Sequence, residues 1–220
     1  MIAHDMRTPL SALRLSIQAA RTSAADPEAL THFLEIAEKN AKAVSNIVEA
    51  LIDTSTDGKG VLVFSECLPR DLVTSAIDQI MPMAEGKRQS IIAEEMVALP
   101  PITADGIRII RVLVNLLSNA VRFAHECGHI RVAARKRVND GHECIVFSVC
   151  DDGPGVATGH VERIFLEGVS ISNEGKYSSG LGLAVCKELV EAHRGRIWVE
   201  PVEKGATFSF SIPTTPQARD

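Results

Sequence analysis

From Leu30 onward, Leu30, Leu34, Ala37, Ala41, Val44, Val48 and Leu51 recur in alternating steps of four and three. A stripe with that repeat runs along one side of a helix and requires another helix to cover it. Asp26-Pro27-Glu28 opens the helix: an N-cap, a proline where no N–H is needed, and an acid at the positive end of the dipole. Upstream, Ile2, Met6, Leu10, Leu13, Ile17 and Ala20 follow a similar spacing. Residues 1–54 are therefore expected to form an antiparallel helical hairpin joined near Ser23–Ala25. Such a hairpin cannot bury its whole seam alone. A second copy completing a four-helix bundle is the natural solution, and packing on the chain's own globular domain is the alternative.

Polar, glycine-containing residues 55–60 read as a linker, and beyond them the periodicity changes. A short strand is expected near 61–65, helices near 69–84 and 105–124, and strands near 89–95, 128–137 and 143–151. An irregular stretch over 152–179 precedes a helix near 180–193 and closing strands near 195–200 and 205–212. This mixture predicts an α+β sandwich over 61–214, one sheet covered by helices, with 215–220 as a tail. The 220 residues thus amount to about one and a half domains at roughly 150 residues each.

Composition narrows the function. A net charge of −5 argues against a chain held mainly by nucleic-acid phosphates, and 4% aromatics is too few for base-stacking platforms. No apolar run nears the roughly 18 residues that cross a bilayer, and Met1–Arg7 has no secretory h-region. The five cysteines are scattered without a C-x-x-C pair, as in a reducing cytosol. His125-Glu126-Cys127-Gly128-His129 reads as a loop, with a metal site as the weaker alternative.

Three segments carry candidate chemistry in the larger domain. Asp151-Asp152-Gly153-Pro154-Gly155 follows an apolar strand, and its glycines allow close backbone approach to a ligand, although a plain tight turn explains them equally. Gly180-Leu181-Gly182-Leu183 opens a helix whose free N–H groups suit phosphate. Neither a Walker A loop nor a dinucleotide fingerprint is present. Asn115, Asn119 and Arg122 share one helix face, where amides and a guanidinium would suit Mg²⁺ and phosphate oxygens; the alternative is a solvated polar stripe.

The fourth segment is His4-Asp5-Met6-Arg7-Thr8-Pro9-Leu10 on the first helix. His4 points away from the apolar seam. Asp5 can take a proton from the imidazole, and Thr8 lies one turn on. Pro9 deprives the Asp5 carbonyl of its helical partner and predicts a bend.

Taken together, these segments resemble a sensor histidine kinase of two-component signalling, over nearly the whole chain. His4–Leu10 looks like the phosphoacceptor box H-[ED]-x-R-T-P-L, and Asn115–Phe123 like the N box. Asp151–Gly155 and Gly180–Val185 look like the two glycine boxes, and Ile164-Phe165 like the start of the F box. His193–Ile197 and Lys204–Phe208 resemble the family's closing strands. The resemblance implies a Bergerat-type ATP-binding sandwich behind a dimerisation and histidine-phosphotransfer hairpin, half of a dimeric four-helix bundle.

It also implies roles. His4 would take the γ-phosphoryl group of ATP, Asp5 would act as general base, and Thr8 would position water in a phosphatase reaction. Asn119 would hold Mg²⁺, Asn115 and Arg122 would contact phosphates, and Phe123 would lie beside the adenine. Asp151 would accept the adenine amino group, with Gly153 and Gly155 letting the base approach. Residues 156–179 would form a lid, with Gly180, Leu181 and Gly182 on its phosphate side. The implied partners are a response-regulator receiver domain and a second copy of the chain, in the cytoplasm, with any membrane attachment through upstream segments.

Three departures qualify the resemblance. The family carries more helix before the histidine, so a fragment of a longer protein is expected. Leu166-Glu167-Gly168 stands where a second F-box phenylalanine is usual, and Ser178 replaces a common glycine. Rival readings are a non-catalytic ATP-binding scaffold and a Bergerat-type ATPase that uses water as acceptor.

Overall fold

The computed structural model describes residues 2–23, 26–37, 40, 62–94, 96, 98–139, 141–161, 163–166, 181–202 and 204–215. The chain divides into two compact units, Met1–Gly60 and Val61–Asp220.

The first unit holds helix α1 (Ile2–Thr22), with Pro9 inside it, and helical residues 27–37 (α2). Asp26 caps α2: its Oδ1 accepts the amides of Glu28 at 3.1 Å and Ala29 at 3.2 Å. Within one chain the apolar stripe of α1 is partly covered. Its most covered line runs through Leu13, Ser16 and Ala20, whereas Leu10 and Ile17 are 45% and 46% exposed. That line follows the 3.6-residue turn of a straight helix, and small residues permit close approach. The Ser16 hydroxyl is satisfied by donating to the carbonyls of Ala12 and Leu13. On α2, Ala37 is buried and Leu34 is 48% exposed. The seam from Ala41 to Leu51, the turn at 24–25 and the linker at 55–60 lie outside the described residues.

The second unit is an α/β sandwich. Its main sheet has the order β2-β4-β5-β7-β6, made of Ser90–Ala93, His129–Asn139, His142–Asp151, Ala206–Pro213 and Arg196–Pro201 respectively. Strand β2 runs parallel to β4, and the other neighbours are antiparallel. Register explains the core. Ala134 faces Phe147 and Phe147 faces Phe210, while Val132 pairs with Val149 and Val149 with Phe208. Side chains alternate across a strand, so these residues share one face of the sheet. The Phe147 and Phe210 rings stack at 4.9 Å.

Helices α3 (Pro69–Gly86), α4 (Gly106–Phe123) and α5 (Leu181–Ala192) cover that face. Helix α4 lies between the other two. Its buried residues Ile109, Val112, Leu113, Leu116, Leu117, Ala120 and Val121 form a wide apolar stripe, which leaves Asn115, Asn119 and Arg122 on the opposite side. Ile164 and Phe165 are buried, and the Phe165 ring sits edge-on to Phe208 at 6.5 Å.

Three expectations differ from the structure. There are two described sheets, because β3 (Ile102–Ala104), which was not expected, pairs with β1 (Ser65–Cys67) apart from the main sheet. The first strand begins at Ser65 instead of near 61, because residues 62–64 are extended chain with the Val63 amide bound to Asp105 at 3.1 Å. The irregular stretch contains a 3-10 turn at Thr158–His160. Among the described residues, no helix is long and apolar enough to cross a membrane.

Candidate functional site

The site begins at the end of α4. Asp105 caps the helix start, its Oδ1 accepting the Arg108 amide at 3.2 Å. Asn115, Asn119 and Arg122 are all half-buried along the polar side, and Phe123 ends the helix with 37% exposure. The Arg122 guanidinium carbon lies 5.3 Å from the Phe123 ring centroid. Burial pulls the Arg122 guanidinium below its ordinary value, so it stands in a partly desolvated place where an anion would be held strongly.

Asp151 ends β5 and is only 6% exposed. Its Oδ1 accepts the Gly153 amide at 2.9 Å. Burial raises its carboxyl above the usual range, opposed by hydrogen bonds from the Gly153 and Ala206 amides. Such a group suits a ligand that donates a hydrogen bond to a desolvated acceptor.

The glycines bring the two segments together. A Cβ on Gly153 would lie 2.6 Å from the Phe123 carbonyl oxygen, so the loop after β5 rests directly on the last residue of α4. Gly155 has φ +79°, where a side chain is strained, and a Cβ there would lie 2.7 Å from the Gly205 carbonyl oxygen. Phe123, Asp151 and Gly153 thus meet where the end of α4 touches the loop after β5, while Asn115, Asn119 and Arg122 lie along the preceding turns of α4 and Gly155 lies against Gly205.

Gly182 lies in the first turn of α5, and a Cβ there would meet nothing within 4 Å. The residue before α5, Gly180, lies outside the described residues, as do the Leu181 side chain and all of 167–179. His4, Asp5 and Thr8 lie on α1, and their side chains also lie outside the described residues.

Several supporting residues escape sequence reading. Lys87 donates to the carbonyls of Val121 at 2.8 Å and Arg122 at 3.2 Å. Gln89 Nε2 donates to those of Val121, Ala124 and His125 at 3.0–3.2 Å. These two residues satisfy the carbonyls at the end of α4 that the helix leaves unpaired. Asp152 accepts the amides of His125 at 3.2 Å and His129 at 2.8 Å, tying the α4–β4 turn to the loop after β5. Only the Asp151-Asp152 doublet hints at this. Cys186 is fully buried on α5 and hydrogen-bonded with Asn115, and burial pushes its thiol up to about 12.

Among the described residues, no group of three or more His, Cys, Asp or Glu could hold a metal ion. The site offers neutral amide oxygens in place of a carboxylate cage, a donor set suited to Mg²⁺ carried by a polyphosphate.

Two family models match the chain. The His Kinase A (phospho-acceptor) domain covers residues 1–60. The histidine kinase-, DNA gyrase B- and HSP90-like ATPase covers residues 104–216. The chain is 33% identical to the adaptive-response sensory kinase SasA of Synechococcus sp. (strain CC9902), aligned over 97% of the chain and 55% of that protein. It is 34% identical to the SasA of Parasynechococcus marenigrum (strain WH8102), with the same shares. The chain therefore spans about half the length of the curated relatives it matches. Among solved structures, it resembles the histidine kinase ThkA in complex with response regulator protein TrrA, with 26% identity and a TM-score of 0.75 over 99% of this chain and 61% of that one. It also resembles full-length ShkA in complex with AMPPNP, with 27% identity and a TM-score of 0.69 over 98% and 45% of the two chains.

Proposed function

The chain belongs to the sensor histidine kinases of two-component signalling, and from that membership we propose that it phosphorylates itself on His4 with Mg-ATP. The observation that carries the reading is the seating of Gly153 against the Phe123 carbonyl. It sets the end of the asparagine-bearing helix against the loop that follows the buried Asp151.

In this reading residues 1–54 are the dimerisation and phosphotransfer hairpin, 55–60 the linker and 61–214 the ATP-binding domain. Asp151 accepts the adenine amino group, and Phe123 lies beside the base. Gly153 and Gly155 let it approach. Asn115 and Arg122 hold phosphate oxygens, Asn119 offers its amide oxygen to Mg²⁺, and Gly180, Leu181 and Gly182 present helix-start amides to the phosphates. Bound Mg²⁺ would neutralise charge on the transferring group. A ring nitrogen of His4 attacks the γ-phosphorus as the bond to the ADP oxygen breaks, and the ring proton passes to Asp5. The phosphohistidine then gives its phosphoryl group to an aspartate of a response-regulator receiver domain, and in the separate phosphatase reaction Thr8 positions the water that hydrolyses the aspartyl phosphate to inorganic phosphate. The full-length protein pairs through this hairpin, and this segment lies in the cytoplasm; the exposed Leu10, Ile17 and Leu34 support pairing with a second copy.

The test is intact-mass analysis after incubation with Mg-ATP. The parental chain is expected to gain one acid-labile phosphate, and His4→Gln and Asn119→Asp to gain none. An adduct surviving His4→Gln would overturn the acceptor. Bound nucleotide without any adduct would favour an ATP-binding scaffold.

A further inference from the structure

The chain enters the catalytic unit through residues 62–64, and three separate segments meet there. Asp105 immediately follows β3 and caps α4. Its second carboxylate oxygen accepts the Val63 amide at 3.1 Å and lies 3.5 Å from Arg108 Nε. The Asp105 amide in turn donates to His193 Nε2 at 3.1 Å, and His193 Nδ1 donates to the Leu189 carbonyl at 2.7 Å. The Phe64 ring stands against the His193 ring, with centroids 5.6 Å apart and planes at 67°. Both Asp105 and His193 are buried.

The connections are specific. Asp105 begins α4, which carries Asn115, Asn119 and Arg122, and His193 follows the last turn of α5, which begins beside Gly180. One carboxylate and one imidazole therefore fasten the incoming segment to both helices of the nucleotide site. An N-cap alone needs only the bond to the Arg108 amide. The bond to Val63, 42 residues earlier in the chain, is additional.

We propose that Asp105 and His193 are positioning residues for phosphoryl transfer: they clip residues 62–64 to α4 and α5, so that this segment and the nucleotide site move as one piece. The proposal rests on the kinase reading above. Effective transfer depends on orientation of the reacting groups, and a loosened joint loses orientation without removing any group that binds ATP.

Three variants of the intact chain test it. Asp105→Asn keeps an oxygen for the Arg108 amide but turns an NH₂ toward the Val63 amide. His193→Leu removes both ring bonds, whereas His193→Gln can reproduce a donor and an acceptor. The expected result is a fall of about tenfold in the maximal rate of His4 phosphorylation for Asp105→Asn and His193→Leu. Affinity for a fluorescent ATP analogue should stay within about twofold, and His193→Gln should restore most of the rate. Parental rates in the first two variants would overturn the proposal. So would a fall in nucleotide affinity that matches the fall in rate, which marks a merely structural role. A parental chain that forms no phosphohistidine counts against the kinase reading alone. The clip is then decided by hydrogen exchange at the Val63 amide: faster exchange in Asp105→Asn supports it, and unchanged exchange overturns it.

Discussion

Gly153 sits so close to Phe123 that any Cβ would lie 2.6 Å from the Phe123 carbonyl oxygen and 2.8 Å from Asp151 Oδ1. Gly153→Ala must push the loop off the helix end. A loss of about 1–3 kcal/mol in stability is expected, from overpacking against backbone that cannot swing away. ATP affinity should fall at least about tenfold, measured by analogue titration beside a denaturant melt.

Asp151→Asn separates stability from binding. Burial raises the Asp151 carboxyl above its ordinary 3.8, so the folded chain keeps this proton to higher pH than the unfolded chain. The resulting stability is present below 3.8 and is lost as pH climbs through the folded value. The asparagine variant lacks that loss. Its stability relative to the parent should therefore rise as pH climbs above 3.8 and level off beyond the folded value. Binding of ATP should weaken above the folded value, where the parent's carboxylate is ionised and the amide presents a poorer acceptor. Urea melts across the range, paired with nucleotide titrations, check both.

His193 titrates in the opposite sense. Burial lowers its pKa below the ordinary 6.5; the Leu189 carbonyl and Asp105 oppose the shift, and Arg108 adds to it. The unfolded chain binds this proton more readily, so the stability of the neutral ring is full above 6.5 and is lost as pH falls through 6.5 toward the folded value. His193→Gln should flatten the stability curve as pH falls below 6.5, read by chemical denaturation.

Gln89→Glu tests how the helix end is held. The amide nitrogen faces three carbonyl oxygens, and a carboxylate would turn acceptors toward acceptors in a buried place. A cost of about 2–4 kcal/mol is expected, together with weaker ATP binding, because Val121 and Ala124 flank the site residues Arg122 and Phe123. Gln89→Met, which removes donors without adding charge, should cost less in the same melts.

The parts legible in the sequence are those whose reason is local. The amide pair on α4, the D-x-G-x-G turn and the cap at Asp26 each follow from spacing within a few residues. The α4 stripe reads the same way, since Ile109 through Val121 repeats within single turns. What stayed hidden depends on partners far along the chain. Strand β3 is three residues behind a Pro-Pro pair and exists because β1 pairs with it. Lys87 and Gln89 read as ordinary polar residues until α4 places its carbonyls before them. His193 looked like part of a closing motif, and its bond to Asp105 spans 88 residues.

The parallel pairing of β2 with β4 has a consequence for synthesis. Ser90 is made 39 residues before His129, its neighbour in the sheet. At roughly 5–20 residues per second, β2 leaves the ribosome seconds before the strand that holds it can emerge. During that interval α3 and α4 have only each other to cover their apolar faces. Their full cover comes only when β5 and β7, which carry Phe147, Phe208 and Phe210, have followed β4.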